Sequence, residues 1–451
     1  MYNLLSFATV LCTLCASCSL AAPSKNDQTF KTGKYKPKQF REASPDNKAV
    51  HVLPLSRQSD GTATSAGYVQ SLRKGEQVDG VYGNSKVTSV ESGLVFVTEI
   101  QIGGENFTAV VDTGSSDTWL VETGFTCVKG SQAACKFGDT YNKTSTFPPV
   151  ANENFAISYA DGEYLKGSFG KEKVTVAGIT VKDQQIAVLT SANWNGDGYS
   201  SGVLGLSFPA NTKAYSGNNP GTNSAATQVD YNPFFTSAYT EGNVAPLFSL
   251  ALSRDVNGGM LAIGGLPPVP YVPIFASTPF EMLTASGTSS NTGNPDYTFY
   301  TITVNGFEYK SAQSNWNLGS WLTYFGNPND PSQVQVIIDS GTTVNYLPQT
   351  IADQVNYLFV PPATYNAQIG YYVVDCNAKA PEFGVRIGPE IFYVNPVDNI
   401  LEIGTDLCIT GIAATGPGGN SILGHTFLKN VVAVFDVGAS QMRFAAREYS
   451  D

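Results

Sequence analysis

The feature that most constrains this chain is a pattern that occurs twice. Val110-Val111-Asp112-Thr113-Gly114-Ser115-Ser116 and Ile337-Ile338-Asp339-Ser340-Gly341-Thr342-Thr343 each place two β-branched residues before an aspartate. A hydroxyl residue, a glycine and two more hydroxyl residues follow. Each copy also has a trailing partner. Gly205 of Val203-Leu204-Gly205 lies 93 positions after Asp112, and Gly424 of Ile422-Leu423-Gly424 lies 85 after Asp339. Matched motifs in matched order imply two related lobes. Locally, a β-branched run enters a packed interior as a strand, and the glycine permits a sharp turn with close backbone approach. The hydroxyls can hydrogen-bond the carboxylate and fix its rotamer. One such turn is a common loop; two with matching partners form a specific signal.

Lobes packed about a pseudo-twofold axis would bring Asp112 and Asp339 together. Like charges in contact cannot both ionise, so the pair would share a proton over a broad acidic range, giving one base and one acid. The base would activate a water against a peptide carbonyl while the acid protonates the carbonyl oxygen. The histidine count narrows the alternatives. Outside the leader, which holds His51, only His425 remains, so a multi-histidine metal site is excluded and any histidine-activated nucleophile would rest on that residue. No metal or cofactor is expected. His425, after Gly424, is expected to be a structural polar residue.

The 451 residues are too many for one ordinary core. Charged residues are only 14% of the chain, while Tyr, Phe, Ser, Thr and Gly are abundant, which favours a mostly β protein. Basic runs and aromatic-basic patches are missing, so nucleic acid is not an expected partner. Charge is divided along the chain: residues 1–74 hold ten Lys/Arg against four Asp/Glu, and residues 75–451 hold sixteen against thirty-three. Residues 1–21 read as a signal peptide, with an apolar run from Leu4 to Leu20 and a cut before Ala22; a membrane anchor is the rival. Residues 22–74 then read as a propeptide held partly by charge and freed by acid, with Arg73-Lys74 either a processing site or an ordinary solvated pair. Lobes over 75–268 and 269–451 complete the expected organisation, with the Pro-rich stretch 266–270 as linker. No stable membrane insertion is expected.

Three of seven cysteines leave with the signal. The other four allow three pairings, and proximity suggests Cys127–Cys135 and Cys376–Cys408. Sequons at Asn106 and Asn142 are glycosylation candidates. Stretches 211–230 and 284–296 are expected as exposed loops. Helices are expected at 232–241, capped through Asn232-Pro233, and at 349–358.

These motifs resemble the pepsin family of aspartic peptidases, from about Leu94 to Ala446. Asp112-Thr113-Gly114-Ser115-Ser116-Asp117-Thr118-Trp119 is similar to that family's first active-site motif, and Val336 to Thr343 to its second. The resemblance implies a bilobal β fold with a substrate cleft between two barrel-like lobes, polypeptide substrates, pepstatin-like inhibitors and a monomeric zymogen. It implies that Thr113 and Ser340 lock the two loops together beneath the dyad, beside Gly114 and Gly341, and that Ser115 and Thr342 bond the outer carboxylate oxygens. Ile157 to Gly162 is similar to the tip of the family's flap, with Tyr159 bonding Trp119 and Asp161 and Gly162 at the turn. Ala160 departs from the usual glycine there. The family often has aspartate where His425 stands, a difference not expected to touch the dyad. Both cysteine pairs resemble family disulfides.

The expectation is therefore an exported, acid-acting endopeptidase, extracellular or in a vacuolar lumen, preferring bulky hydrophobic residues around the scissile bond. Asp161 could also admit a basic side chain. Two rivals stand beside it: an inactive pepsin-like binding protein, and a carbohydrate hydrolase with paired carboxylates.

Overall fold

A computed structural model describes residues 51–55, 89–90, 94–143, 147–159, 162–254, 258–283, 297–312, 322–325 and 334–448. All of these fall in one compact unit spanning 40–451. The described strands form five sheets, and the fold is the mostly β, bilobal pepsin-like architecture.

A six-stranded antiparallel sheet draws on both halves of the chain. Its order is His51–Leu55, Gly259–Ile263, Leu247–Leu252, Val431–Asp436, Gln441–Ala446 and Ala276–Pro279. The two central strands, LFSLAL and VVAVFD, are buried at every position, as near-continuous apolar runs are when both faces are covered; the two polar residues are partnered, Ser249 donating to the Gly265 carbonyl and Asp436 accepting from Arg443. Phe248 and Phe435 are register partners with stacked rings 4.5 Å apart, a cross-strand contact joining the two halves. Leu266, at the head of the Pro-rich linker, is buried with Leu247, Ala251, Val432 and Val434, so the linker starts pinned to this sheet. The strand His51–Leu55 lies inside the expected propeptide, yet pairs along its whole length with Gly259–Ile263.

Residues 89–229 build a ten-stranded sheet, and the second half builds one five-stranded and two four-stranded sheets. The stretch 211–230, expected as an exposed loop, is mostly exposed from 216 to 226 but is anchored by short strands near both ends. Ala214–Ser216 pairs with both Pro149–Ser158 and Gln228–Val229, and Asn154 Nδ2 donates to the Tyr215 and Gly217 carbonyls, which organises this polar segment. The stretch 284–296 lies outside the described residues.

The helices occur as Phe234–Thr240 and Gln349–Tyr357. The first is capped by Pro233 without a side-chain hydrogen bond, and Asn232 stands outside the helix. The cause is the proline: with no N–H and a fixed φ, it serves as the entry residue itself. In the second helix, Ile351, Ala352 and Val355 form the buried face. Among the described residues no helix is long and apolar enough to cross a membrane. Both disulfides, Cys127–Cys135 and Cys376–Cys408, are formed.

Candidate active site

The repeated motifs are explained by strand pairing. The strand Glu105–Asp112 delivers Asp112 at its end and runs parallel to Gly202–Gly205, with Asp112 opposite Gly205. Val334–Ile338 delivers Asp339 and runs parallel to Ser421–Leu423, with Ile338 opposite Leu423. Each apolar-apolar-Gly segment is therefore the neighbour of its own aspartate strand. A Cβ on Gly205 would meet the Ser116 carbonyl carbon at 2.4 Å, and one on Gly424 the Thr342 oxygen at 2.4 Å.

The two turns face each other. A Cβ on Gly114 would meet Asp339 Oδ1 at 2.5 Å, and a Cβ on Gly341 would meet Asp112 Oδ1 at 2.5 Å. Only glycine allows each carboxylate to approach the opposite loop this closely. Within each turn the contacts repeat. The Gly114 and Gly341 N–H groups donate to Oδ1 of their own aspartate, both at 2.7 Å. Ser115 Oγ donates to Asp112 Oδ2, and Thr342 Oγ1 to Asp339 Oδ2 at 2.6 Å. Beneath the carboxylates the loops are crossed. Ser340 N donates to Thr113 Oγ1 (2.9 Å), which donates to the Ile338 carbonyl (2.9 Å); Thr113 N donates to Ser340 Oγ (3.1 Å), which donates to the Val111 carbonyl (2.8 Å). Thr113 and Ser340 are fully buried, so these bonds are shielded from water.

Burial pushes the Asp112 carboxyl up to about 7, with the negative charge of Asp339 next in effect; the Ser115 hydroxyl and the Gly114 N–H pull the other way. At acidic pH this pair holds a proton that an isolated carboxylate would have lost. Above the first turn, Trp119 Nε1 donates to Tyr159 Oη at 3.1 Å. Burial, and then the charge of Asp112, hold the Tyr159 phenol far above its ordinary range, so it remains a hydroxyl.

The family model for eukaryotic aspartyl proteases matches residues 95–447, most of the chain. The chain belongs to this family. It is 41% identical to a probable aspartic-type endopeptidase of Aspergillus fumigatus, covering 96% of each chain. It is 30% identical to penicillopepsin-1 of Talaromyces stipitatus over 78% of each, and 28% identical to an aspartic protease of Phaffia rhodozyma over 80% of this chain and 79% of that one. The protein is an aspartic-type endopeptidase by this membership, and peptides are its substrate class.

Other site residues of the protease are placed as follows. Gly162 adopts a φ of +89° at the return of the hairpin. Ala160 and Asp161 lie outside the described residues. Asn106 and Asn142 are both exposed. His425 is buried, and its Nε2 lies 2.6 Å from the Ser340 carbonyl; since that oxygen only accepts, Nε2 carries the proton. Burial, followed by the charge of Lys429, pushes the ring down to about 3, so it is neutral except in strong acid. Its part is structural, but it is played directly behind the second aspartate turn.

Two features were missed. Asp117, five residues past Asp112, is buried; it accepts from Tyr231 Oη at 2.7 Å and from Lys213 N at 3.0 Å, and burial pushes it up to about 6. Trp194 meets Tyr159, Trp119 and Phe137, with centroids 5.7, 5.5 and 5.9 Å away. A lone tryptophan within the polar run Asn193 to Gly198 was the signal that could have revealed it.

Proposed function

We propose that Asp112 and Asp339 are the catalytic dyad of an acid-acting endopeptidase made as a secreted zymogen. The observation that carries this is the mutual fit of the turns: each glycine abuts the opposite carboxylate, and the proton-holding Asp112 lies in that contact. One carboxylate is then the base for a water between them, and the other is the acid. The water attacks the peptide carbonyl as the base takes its proton, while the acid protonates the carbonyl oxygen. The resulting tetrahedral intermediate collapses as a proton reaches the leaving nitrogen, so no covalent enzyme intermediate forms. The crossed Thr113 and Ser340 bonds keep the two carboxylates in register for this exchange.

Tyr159, with Trp194, Phe137 and Trp119 behind it, supports an aromatic wall suited to bulky apolar side chains beside the scissile bond. The strand pairing of His51–Leu55, added to the charge contrast between leader and body, supports a propeptide that is docked until acid releases it. The lobes divide near residue 268, processing falls at Arg73-Lys74, and the mature enzyme is a monomer outside the cell or in a vacuolar lumen, with glycans at Asn106 and Asn142. Cleavage of a denatured protein at acidic pH, blocked by a pepstatin-like inhibitor and absent in Asp112→Asn and Asp339→Asn, tests the dyad. Undiminished cleavage by both variants refutes it.

A further inference from the structure

One peptide group in the aromatic wall is held between opposite charges. Trp194 follows the strand Ile179–Asn193, and its carbonyl accepts from the Lys129 ammonium at 2.8 Å. The same ammonium donates to Asn195 Oδ1. The other end of that peptide unit, Asn195 N–H, donates to Glu163 Oε1. A cation thus sits at the negative end of one peptide dipole and a carboxylate at its positive end, and both hydrogen bonds are charge-assisted.

The two gripping residues come from different elements. Glu163 is buried and closes the flap hairpin, its carbonyl accepting from Tyr159 N at 2.8 Å. Lys129 is exposed and belongs to the loop closed by Cys127–Cys135. The turn after Trp194 lies along that loop: Gly196 N donates to the Cys135 carbonyl at 3.1 Å and Gly198 N to the Lys136 carbonyl at 2.7 Å. Among the described residues Trp194 Nε1 has no hydrogen-bond partner, so ring packing and this clamped backbone orient the indole.

We propose that Glu163 and Lys129 are positioning residues for substrate specificity: they fix Trp194 against Tyr159 and so set how firmly a bulky aromatic side chain is held under the flap. This rests on the aromatic wall proposed above. Loosening the clamp lets the indole rotate, which weakens the hold on a large apolar side chain more than on a small one and acts on binding more than on the chemical step.

The test uses Glu163→Leu, Glu163→Gln and Lys129→Met in the full chain, with two peptides that differ only in Phe or Ala before the scissile bond. Glu163→Leu raises KM for the Phe peptide about tenfold, changes kcat less, and moves the Ala peptide by no more than about threefold. Glu163→Gln restores most of the loss, because its amide oxygen still accepts from Asn195 N. Lys129→Met, at an exposed position that leaves folding intact, raises KM for the Phe peptide about threefold. Near-ultraviolet circular dichroism, to which the packed Trp119, Trp194 and Tyr159 rings contribute, falls in the same order without substrate. Unchanged KM and unchanged ellipticity in Glu163→Leu and Lys129→Met overturn the proposal, as does an equal loss on both peptides. A wild-type enzyme that cleaves both peptides equally instead defeats the aromatic-wall reading, and the ellipticity series still decides whether the clamp orients the indole.

Discussion

Asp117→Asn should flatten the acid side of the stability profile without touching the two catalytic candidates. Asp117 is buried, and its carboxyl is pushed from 3.8 to about 6, first by burial, against the opposing pull of Tyr231 and the Lys213 N–H and charge. The folded chain therefore keeps this proton at pH values where the unfolded chain has lost it. Below pH 3.8 both forms are protonated and the contribution is fully present; it drains away as pH rises to about 6. At 1.36 kcal/mol per pH unit, the loss over that window is about 3 kcal/mol. Asparagine does not titrate, and its Oδ1 can still accept from Tyr231. Asp112 acts in the same direction, whereas the depressed His425 opposes both, since its contribution is lost as pH falls from 6.5 toward about 3. Both backgrounds cancel when variant and wild type are compared. Urea denaturation at pH 4 and pH 6.5 and fixed ionic strength, which samples most but not all of that window, should show wild type losing about 2 kcal/mol more than Asp117→Asn between the two conditions. Parallel losses, within about 0.5 kcal/mol, would refute the assignment of a proton to buried Asp117.

Three further outcomes are expected. Gly341→Ala puts a Cβ 2.5 Å from Asp112 Oδ1, so kcat should fall at least about a hundredfold, measured beside a melting curve showing that the fold persists. Ser340→Ala strips the acceptor from Thr113 N and the donor from the Val111 carbonyl, and should lower unfolding free energy by about 2–3 kcal/mol in urea titrations. Replacing both cysteines by serine should cost about 4 kcal/mol at Cys376–Cys408 and about 2.5 at Cys127–Cys135, because the chain separations closed are 32 and 8 residues.

The duplicated turns were legible because strand, turn and neighbouring strand are local or repeated signals. Val203-Leu204-Gly205 and Ile422-Leu423-Gly424 stood out in the sequence, and parallel pairing beside the aspartate strands is the reason they recur. Strand partnership was not legible. Nothing in LFSLAL or VVAVFD names the other as neighbour, since an apolar run records burial and not its partner. Nor does the sequence HVLPL reveal that a leader segment joins that same sheet. Asp117 read as part of a motif because burial depends on Tyr231 and Lys213, which lie about a hundred residues away in sequence. Trp194 was hidden by its Asn- and Gly-rich setting, which signals a turn but not what the turn packs against. Propensity alone makes Asn232 the helix cap, but the proline beside it takes that place.

The most direct test of the central claim is the pH dependence of kcat/KM for one peptide, in wild type and in Asp112→Asn. A shared proton predicts a bell in acid, whose two limbs belong to the pair and not to either residue, with activity lost as pH approaches the value of about 7 to which Asp112 is raised. Asp112→Asn should leave no bell to measure. Activity that climbs through neutral pH, or a bell that survives in Asp112→Asn, contradicts the account.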